Sequence, residues 1–484
     1  MSVRFFIKYI GGIAAKNNRA AHMPQLTADF KIPRGNSMSE YRIYDSIKKG
    51  KKHVSFHTPG HKGGGALAAF CPACRGDVTE LSFTDDLGSP SGAIAAAQSD
   101  VAMIAGAKRA YFTTDGSTSG VFAMLWALKG RGGKIIVPRN SHKSVWNACR
   151  LLGFEPVIVQ GEENEGVLTP PDPAQIVSLL AADEDICGMI AVSPDYYGNI
   201  APLEKYAEIL HAYRRVLAVD GAHGAHLAFG EDKKLYAGAH ADMWVDGAHK
   251  SLPTLTQGAA VFLNDLSLEE GLTEGLSVFR TTSPSFPVMA SVEFGYKYTA
   301  AHIAQIARVK GLALSFKAKF PDLTFYPSGD WSKLCLDCAP LTIDSRKLGE
   351  RLEKSGIYAE FADGRYLVFY LSPSTAAAHF KKLASALVRA LKVKKLRGTY
   401  VARKKMPVPA RTYSFLYALG QPSEYVPVGE SAGRMSACNA GLMPPCVPLV
   451  AAGEMISEAE ARALKNAAHT FGLSDGRIKV VKKG

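Results

Sequence analysis

The chain has 484 residues, of which 47% are hydrophobic and 21% are charged, a composition typical of a soluble globular protein with two or three domains. No uninterrupted apolar run approaches the roughly 18 residues that a membrane-spanning helix requires. The formal net charge of +13 permits contact with nucleic acid, but the basic residues are scattered apart from two runs, at 392–405 and 479–483. Neither run lies in a nucleic-acid-binding motif. Composition and charge therefore argue against a membrane protein and against a nucleic-acid-binding protein.

The chain has eight cysteines, too few for a disulfide scaffold, and this number favours a reducing, cytoplasmic location. Two pairs have the Cys-x-x-Cys spacing that zinc sites use, Cys71 with Cys74 and Cys335 with Cys338. The pairs are far apart in the chain and no histidine-rich segment accompanies them. We therefore predict no metal site.

Residues 1–37 differ from the rest of the chain. They contain several basic residues and no acidic residue before Asp29, a composition similar to that of a transit peptide. Met23 and Met38 are alternative start positions that would make the segment a leader outside the folded protein. The segment lacks a continuous apolar core, which argues against a secretory signal, and the other two interpretations stay open.

Two loops precede the first regular elements. Residues 55–65 and 83–92 are rich in glycine, proline, histidine and aspartate, so they form neither a helix nor a central strand. We interpret them as loops or an arm. A helix-like segment follows at residues 93–107.

Beyond this helix, short apolar runs alternate with helical segments. Such alternation is typical of βα units and predicts an α/β domain with a mostly parallel sheet over about residues 80–265. The predicted strands are residues 110–114, 134–138, 156–159, 188–192, 216–220, 243–245 and 259–263.

Polar side chains follow the ends of several of these strands. Ligands of such sheets bind beyond the carboxyl ends of the strands, so we expect these side chains to meet at one edge. The candidates are Ser117, Thr118, His142, Asp195, Tyr196, Asp220, His223, His249 and Lys250.

Some of these candidates point to a particular cofactor. Lys250 stands among small residues after a strand, where its amine can form a Schiff base with an aldehyde. Residues 115–120 open a helix with small and hydroxyl side chains, which suits either a phosphate group or a simple Ser/Thr N-cap. Asp220 would keep a pyridine nitrogen protonated, and His142 offers a flat ring for stacking. Together these features describe a pyridoxal phosphate site.

The chain resembles the Orn/Lys/Arg decarboxylases, which have the aspartate-aminotransferase fold (fold type I of the pyridoxal-phosphate-dependent enzymes). The resemblance extends over about residues 38–460, and its motifs occur in order. These motifs are His57-Thr-Pro-Gly-His-Lys-Gly-Gly64, Asp85-Asp-Leu-Gly88, Gly116-Ser-Thr118, Val137-Pro-Arg-Asn-Ser-His-Lys-Ser144, Ser193-Pro-Asp-Tyr-Tyr-Gly198, Asp220-Gly-Ala-His-Gly-Ala-His226, His249-Lys-Ser-Leu-Pro253, Thr256-Gln-Gly258, Thr281-Thr-Ser-Pro-Ser285, Pro444-Pro-Cys-Val-Pro448 and Ala452-Gly-Glu454.

The resemblance implies a role for each matching residue. Lys250 carries the Schiff base and Asp220 pairs with the pyridine nitrogen. His142 stacks on one ring face and Ala222 packs on the other. Lys250, His142 and Asp220 are the predicted catalytic residues. The other predicted cofactor-binding residues are Ser117, Thr118 and His249 at the phosphate, His223, and, reaching the phosphate of a neighbouring subunit, one of Thr281, Thr282 and Ser283, with Thr282 as our choice.

Three positions depart from the family pattern. Gly221 replaces the usual glutamate, Gly247-Ala248 replace Ser-Thr before the His-Lys pair, and Asp115 replaces the commoner asparagine. The second departure removes a hydroxyl that could bind the phosphate. These departures bear on phosphate affinity and substrate preference, and they leave the assignment of Lys250 unchanged.

The predicted domain organisation has three parts. Residues 1–37 are a leader or an N-terminal extension, and residues 38–330 form an arm with the cofactor-binding large domain. Residues 331–484 form a smaller α+β domain with a closing segment. Within this last part the apolar runs 341–343 and 366–371 are the predicted strands.

The predicted function is decarboxylation of arginine, lysine or ornithine to the corresponding amine and CO2, with pyridoxal 5'-phosphate as cofactor. The resemblance places such a lyase in polyamine biosynthesis, in the cytoplasm, as a homodimer or larger homo-oligomer whose site lies at the dimer interface. The alternatives are another pyridoxal-phosphate-dependent reaction, such as transamination or β-elimination, and a non-catalytic regulatory relative. The choice among the three amino acids stays open, because they differ only at the far end of the side chain.

Overall fold

A computed structural model describes residues 40–49, 53–401, 413–443, 447–467 and 469–483. The predicted leader, residues 1–37, and the Pro444-Pro-Cys446 part of the closing motif lie outside these residues. Within the described ranges, no helix combines the length and the apolar character needed to cross a bilayer. The described residues from Tyr41 onward belong to one compact unit.

A seven-stranded sheet forms the centre of the molecule. Its strand order is β1-β9-β8-β7-β6-β2-β3, and its neighbours pair in parallel except where β9 runs antiparallel to β1 and β8. The predicted mostly parallel sheet is therefore confirmed, and each predicted strand overlaps an observed one. The strands are β1 Arg109–Thr113, β2 Lys134–Pro138, β3 Glu155–Val159, β6 Ile186–Val192, β7 Val216–Asp220, β8 Met243–Asp246 and β9 Ala259–Leu263, with a small hairpin of β4 Glu163–Asn164 and β5 Val167–Leu168 beside them.

Helices cover both faces of this sheet, which makes the central strands apolar on both sides. Successive residues of β9 show the two faces, because Phe262 packs in one hydrophobic core and Val261 in the other. The helices in this part of the chain are α1 Arg42–Lys49, α2 Ala93–Ala105, α3 Ser117–Trp126, α4 Lys143–Leu152, α5 Pro173–Ala182, α6 Leu203–Ala212, α7 Ala248–Ser251, α8 Glu269–Phe279, α9 Phe286–Ala301 and α10 Ala304–Lys319.

A second, four-stranded antiparallel sheet follows, in the order β10-β11-β13-β12. The predicted strand at 366–371 is present as β13, but the one at 341–343 is wrong. Residues 341–342 form a turn in which Thr342 has a φ of 55°, and the neighbouring strand is β11 instead. The elements are β10 Thr324–Phe325, β11 Lys333–Asp337, α11 Ser345–Glu353, β12 Phe361–Ala362, β13 Tyr366–Tyr370 and α12 Ala377–Leu391.

The C-terminal segment returns to the first sheet. Phe415, Ala451 and Ala452 are buried in the same core as α3 and α4, and the Glu155 carboxylate of β3 accepts the backbone N–H groups of Phe415 and Leu416. The remaining elements are α13 Phe415–Gly420, β14 Ser423–Pro427, β15 Ala440–Leu442, β16 Val447–Val450, α14 Glu458–Lys465, β17 Thr470–Phe471, β18 Leu473–Ser474 and β19 Arg477–Val481.

Candidate active site

A cleft lies where β6, β7 and β8 end and where α3 and α4 begin. Its position follows from the fold, since the carboxyl ends of adjacent parallel strands meet at one edge of the sheet. The residues that line it are Ser117, His142, Val192, Tyr196, Asp220, Ala222, His223 and Lys250. The eight residues come from five separate segments of the chain, and six of them belong to the cofactor-binding set predicted from the sequence.

Lys250 reaches the cleft from the short helix α7, which starts directly after β8. Its Nζ lies 3.1 Å from Nε2 of His223. The approach of α7 to the segment after β7 is close, because a Cβ on Gly247 would lie 2.7 Å from the Ala222 carbonyl oxygen. Gly247, one of the departures from the family pattern, therefore allows this close packing.

His223 is a buried polar side chain of the cleft. Burial lowers its pKa well below the usual value for histidine, and the charge of Lys250 acts in the same direction. The imidazole is therefore neutral near pH 7, with Nε2 directed at Lys250. Its Nδ1 is buried and has no hydrogen-bond partner among the residues that the structure describes. A bound ligand with a polar atom at this point would satisfy it.

Asp220 is the last residue of β7 and is only 5% exposed. Its Oδ1 accepts the backbone N–H of Ala222 at 3.2 Å. A buried carboxylate is costly unless a cation lies nearby. A ring nitrogen that carries a proton suits this position.

His142 is the N-cap of α4. Its Nδ1 accepts the backbone N–H of Ser144 at 3.3 Å and lies 2.8 Å from the Ser144 hydroxyl. Burial lowers the pKa of His142 to about 4, although Asp220 opposes the shift. The ring is therefore neutral, and its orientation is fixed by the cap.

The start of α3 forms the other end of the cleft. The N-cap is Gly116, with a φ of 72° and no side-chain cap, so the simple Ser/Thr N-cap that the sequence allowed is absent. Gly116 instead donates its N–H to the Gln257 carbonyl at 2.9 Å. The free N–H groups of the first turn and the positive end of the helix dipole suit a phosphate group, and Ser117 contributes its side chain.

Three predicted cofactor-binding residues do not line this cleft. Thr118 and Thr282 are exposed. His249 is partly buried, with Nδ1 3.0 Å from the Gly258 carbonyl oxygen. Of the other candidates at this edge, Asp195 is turned away: its carboxylate accepts the N–H groups of Tyr197 and Asn199 within its own turn.

The prediction omitted residues that the structure places at or beside the cleft. Val192 lines it, but it is a partly buried apolar residue at the end of β6 without any chemical signal in the sequence. Tyr370 packs edge-on against His223, with ring centroids 5.4 Å apart. Because Tyr370 comes from the second sheet, only the folded arrangement brings it here.

The Gly221 departure leaves room for a buried acid from the neighbouring strand. A Cβ on Gly221 would lie 3.2 Å from Oδ1 of Asp246. Asp246 is fully buried at the end of β8, and its Oδ2 accepts hydrogen bonds from Tyr236 and Tyr296 at 2.6 Å each. Burial raises the pKa of the Asp246 carboxyl to about 7.

Comparison with known proteins identifies the family of the chain. A family model described as Orn/Lys/Arg decarboxylase, major domain, matches residues 45–323. The chain belongs to this family. It is 30% identical over 452 residues, 89% of this chain and 94% of the relative, to an uncharacterised protein, YaaO, of Bacillus subtilis. An arginine decarboxylase of Bacillus subtilis is 27% identical, and the alignment covers 87% of this chain and 92% of the relative. An arginine decarboxylase of Halalkalibacterium halodurans is 29% identical, with 86% of this chain and 91% of the relative covered.

Solved structures show that this member of the Orn/Lys/Arg decarboxylase family has the fold of its relatives. The lysine decarboxylase LdcF of Francisella novicida superposes with a TM-score of 0.78, at 17% identity, over 91% of this chain and 81% of that one. The serine palmitoyltransferase of Sphingomonas wittichii superposes with a TM-score of 0.54, at 18% identity, over 67% of this chain and 82% of that one. The predicted fold class, an α/β fold of the fold type I enzymes, is therefore confirmed. The chain is an enzyme of a decarboxylase family.

Proposed function

We propose that this chain is a pyridoxal-phosphate-dependent decarboxylase that converts a basic amino acid into the corresponding amine and CO2. The observation that carries the proposal is the convergence of Lys250, Asp220 and His142 on one cleft. An amine, a buried carboxylate and a flat neutral ring are the groups that this cofactor needs for attachment, protonation and stacking. The uncapped helix at Ser117 suits its phosphate.

When bound, pyridoxal phosphate supplies an electron sink for the electron pair that is left on Cα as CO2 departs. Lys250 Nζ provides the amine that attaches the cofactor, and neutral His223 Nε2 accepts a hydrogen bond from that amine. By accepting a proton there, His223 would keep Lys250 nucleophilic. Lys250 or His223 then stands ready to return a proton to Cα.

The other side chains orient and enclose the reacting groups. Asp220 would hold the proton of the cofactor's ring nitrogen, which would keep the ring electron-poor. His142 and Ala222 would pack against the ring. The cleft is lined in part by Val192 and Tyr196, which restrict access of water to the reacting carbon.

Arginine is the first substrate to test. The relatives with a stated activity that align with 84–87% of this chain are arginine decarboxylases. Two lysine decarboxylases align with only 50% and 52% of it. We infer that the enzyme acts in the cytoplasm and that its product amine is a precursor for polyamine synthesis.

We also infer a homo-oligomer in which Thr282 of one subunit reaches the cofactor phosphate of the next. Support comes from the exposure of Thr282 and from its place in a segment whose residue Thr281 donates its N–H to Asp115, beside the phosphate end of the cleft. Light scattering of the active enzyme checks this inference. Activity in a monomeric fraction would contradict it.

The test of the function measures CO2 release from arginine, lysine and ornithine by the purified protein with added cofactor, together with its visible absorption. We expect CO2 from one of the three, and loss of both CO2 release and the visible band in Lys250→Ala. The matched control is Lys205→Ala, which removes an exposed lysine paired with Glu208 and should change neither readout.

Each alternative has its own signature in this experiment. Visible absorption without CO2 from any substrate, but with transfer of the amino group, would replace decarboxylation by transamination. Absence of the band at saturating cofactor would contradict the proposal and favour a non-catalytic relative.

A further inference from the structure

A buried ionic cluster connects the two sheets behind the cleft. Asp330, just before β11, lies 2.7 Å from His226 Nε2 through Oδ1 and 3.0 Å from Lys333 Nζ through Oδ2. All three side chains are at most 2% exposed. His226 belongs to the segment after β7, whereas Lys333 is the first residue of β11. The cluster therefore fixes the position of one sheet relative to the other.

The charges in this cluster are well matched. Burial would raise the pKa of the Asp330 carboxyl, but the nearby His226 and Lys333 outweigh it and hold that pKa well below its usual value. Ser332 adds hydrogen bonds, since its hydroxyl donates to Asp330 at 2.9 Å and accepts from Lys333 Nζ at 2.7 Å. Lys333 is thus held in one place by partners on several sides.

Lys333 connects this cluster to the active site through an aromatic ring. Its Nζ lies 4.5 Å from the ring centroid of Tyr370, a cation–π arrangement. The Tyr370 ring packs edge-on against His223 at 5.4 Å. The Tyr196 ring lies beside the same imidazole, with the ring centroids 4.9 Å apart. The Tyr196 carbonyl oxygen accepts a hydrogen bond from the Tyr370 hydroxyl at 3.2 Å. His223 is held between these two tyrosines.

We propose that Lys333 is a positioning residue for the reaction: anchored by Asp330, it fixes the Tyr370 ring against His223 and so keeps His223 Nε2 directed at Lys250. The inference rests on the proposed function, which gives Lys250 its role. Lys333 does not line the cleft; it acts through Tyr370.

The charges around His223 give this proposal a measurable consequence. Tyr196 and Tyr370 pack against the imidazole, and Asp220 lines the same cleft. The groups whose charge acts on the imidazole are Lys250, Lys333, His142 and His249. Burial and each of these groups lower the pKa of His223. Removing Lys333 should therefore raise that pKa, because one fixed positive charge disappears while the burial stays.

The first measurement follows the His223 imidazole by NMR in cofactor-free protein labelled at histidine, with His223→Gln to assign the signal. In Lys333→Met we expect the titration of His223 to begin at a higher pH than in the wild type, because the positive charge of Lys333 is removed. Lys333→Arg should restore most of the wild-type behaviour. The matched control is Lys297→Met, because Lys297 is equally buried and bound to Glu293 and Asp100 but is not among the groups that face His223.

The second measurement is the pH profile of the loaded enzyme. In Lys333→Met we expect kcat to fall about tenfold with little change in KM, and the acidic limb of the profile to move to higher pH. Tyr370→Leu removes the ring between Lys333 and His223 but leaves the ion pair of Lys333 with Asp330 in place. It should lower kcat by a similar factor. This second variant keeps the proposal testable if Lys333→Met does not fold.

Two outcomes would overturn the inference. One is a His223 titration in Lys333→Met that matches the Lys297→Met control. The other is an unchanged kcat in a folded Tyr370→Leu variant. The NMR experiment uses neither cofactor nor substrate, so failure of the proposed decarboxylation would show as absence of CO2 from the wild type and would be distinguished from failure of this inference.

Discussion

His142 combines two functions in a single residue. Its Nδ1 caps α4 through Ser144, and its ring lines the cleft. Both functions need the neutral imidazole. Nδ1 can accept a hydrogen bond only when it carries no proton, and a charged ring would be repelled by the positive charge of Lys250. The depressed pKa of His142, about 4, is therefore a consequence of the architecture of the site.

This pKa predicts how stability depends on pH. The unfolded chain takes up a proton at His142 below about pH 6.5, whereas the folded protein does so only near pH 4. Between these values the unfolded state binds more protons, so the free energy of unfolding falls as the pH falls, by about 2 kcal/mol at pH 5 from this residue.

His142→Phe removes this contribution. We expect the thermal midpoint of the cofactor-free wild type to drop more between pH 7 and pH 5 than that of His142→Phe, with the other histidines unchanged in both. Calorimetry at the two pH values measures the difference. An equal drop in the two proteins would show that His142 takes up its proton at an ordinary pKa.

At the scale of the elements, the turn from β8 into α7 is tightly packed against the segment after β7. It must bring Lys250 to the cleft while α7 packs against the segment after β7. The absent side chain of Gly247 makes this possible, since its Cβ would lie 2.7 Å from the Ala222 carbonyl and 3.4 Å from Lys250 Cδ. Small residues at 221 and 222 complete the approach.

Gly247→Ala should therefore move α7 away from Ala222. We expect a loss of about 1–3 kcal/mol in stability and weaker retention of the cofactor, measured by chemical denaturation and by dialysis followed by absorption. The matched control is Gly311→Ala in α10, where no atom lies within 4 Å of the new Cβ. That change should stabilise the protein by about 0.5–1 kcal/mol. Equal effects of the two substitutions would contradict this explanation.

At the scale of the whole molecule, one buried ion pair joins the C-terminal segment to the active-site edge. Arg139, three residues before His142, binds the Glu454 carboxylate through both Nη atoms, with Nη1 3.1 Å from Oε2. The side chains are 7% and 1% exposed. Glu454 also accepts the N–H of Ala451 at 2.8 Å. The segment that carries Glu454 thereby holds the His142 loop.

Replacing only one residue of this ion pair should lower the stability more than replacing both residues. Arg139→Met leaves the Glu454 charge buried, and we expect a loss of about 3–5 kcal/mol. The double variant Arg139→Met with Glu454→Leu should recover most of that loss. A denaturation series of the two single variants and the double variant measures the coupling. Additive losses in the double variant would show that the two side chains act independently.

The sequence by itself determined the central sheet and the family, and the proposed cofactor chemistry rests on it as well. Each strand of the main sheet is a short apolar run between helices. The apolar run and the helical pattern on either side are both local features of the sequence. Residues such as Val216 to Asp220 are therefore assigned to a strand without tertiary information. The motif around Lys250 and the Asp-Gly-Ala-His run identify the family because the spacing of the polar groups is fixed along the chain. The predicted strand at 341–343 is wrong, because a short apolar run does not distinguish a strand from a turn.

The tertiary structure decided what depends on distant contacts. Nothing in the sequence shows that Tyr370 and Lys333, more than a hundred residues after His223, surround its imidazole, since this depends on how the second sheet packs on the first. The close approach of Gly247 to Ala222 is likewise a product of packing. Such contacts arise between segments far apart in the chain, where sequence patterns carry no information about distance, and they set the electrostatic surroundings in which Lys250 acts.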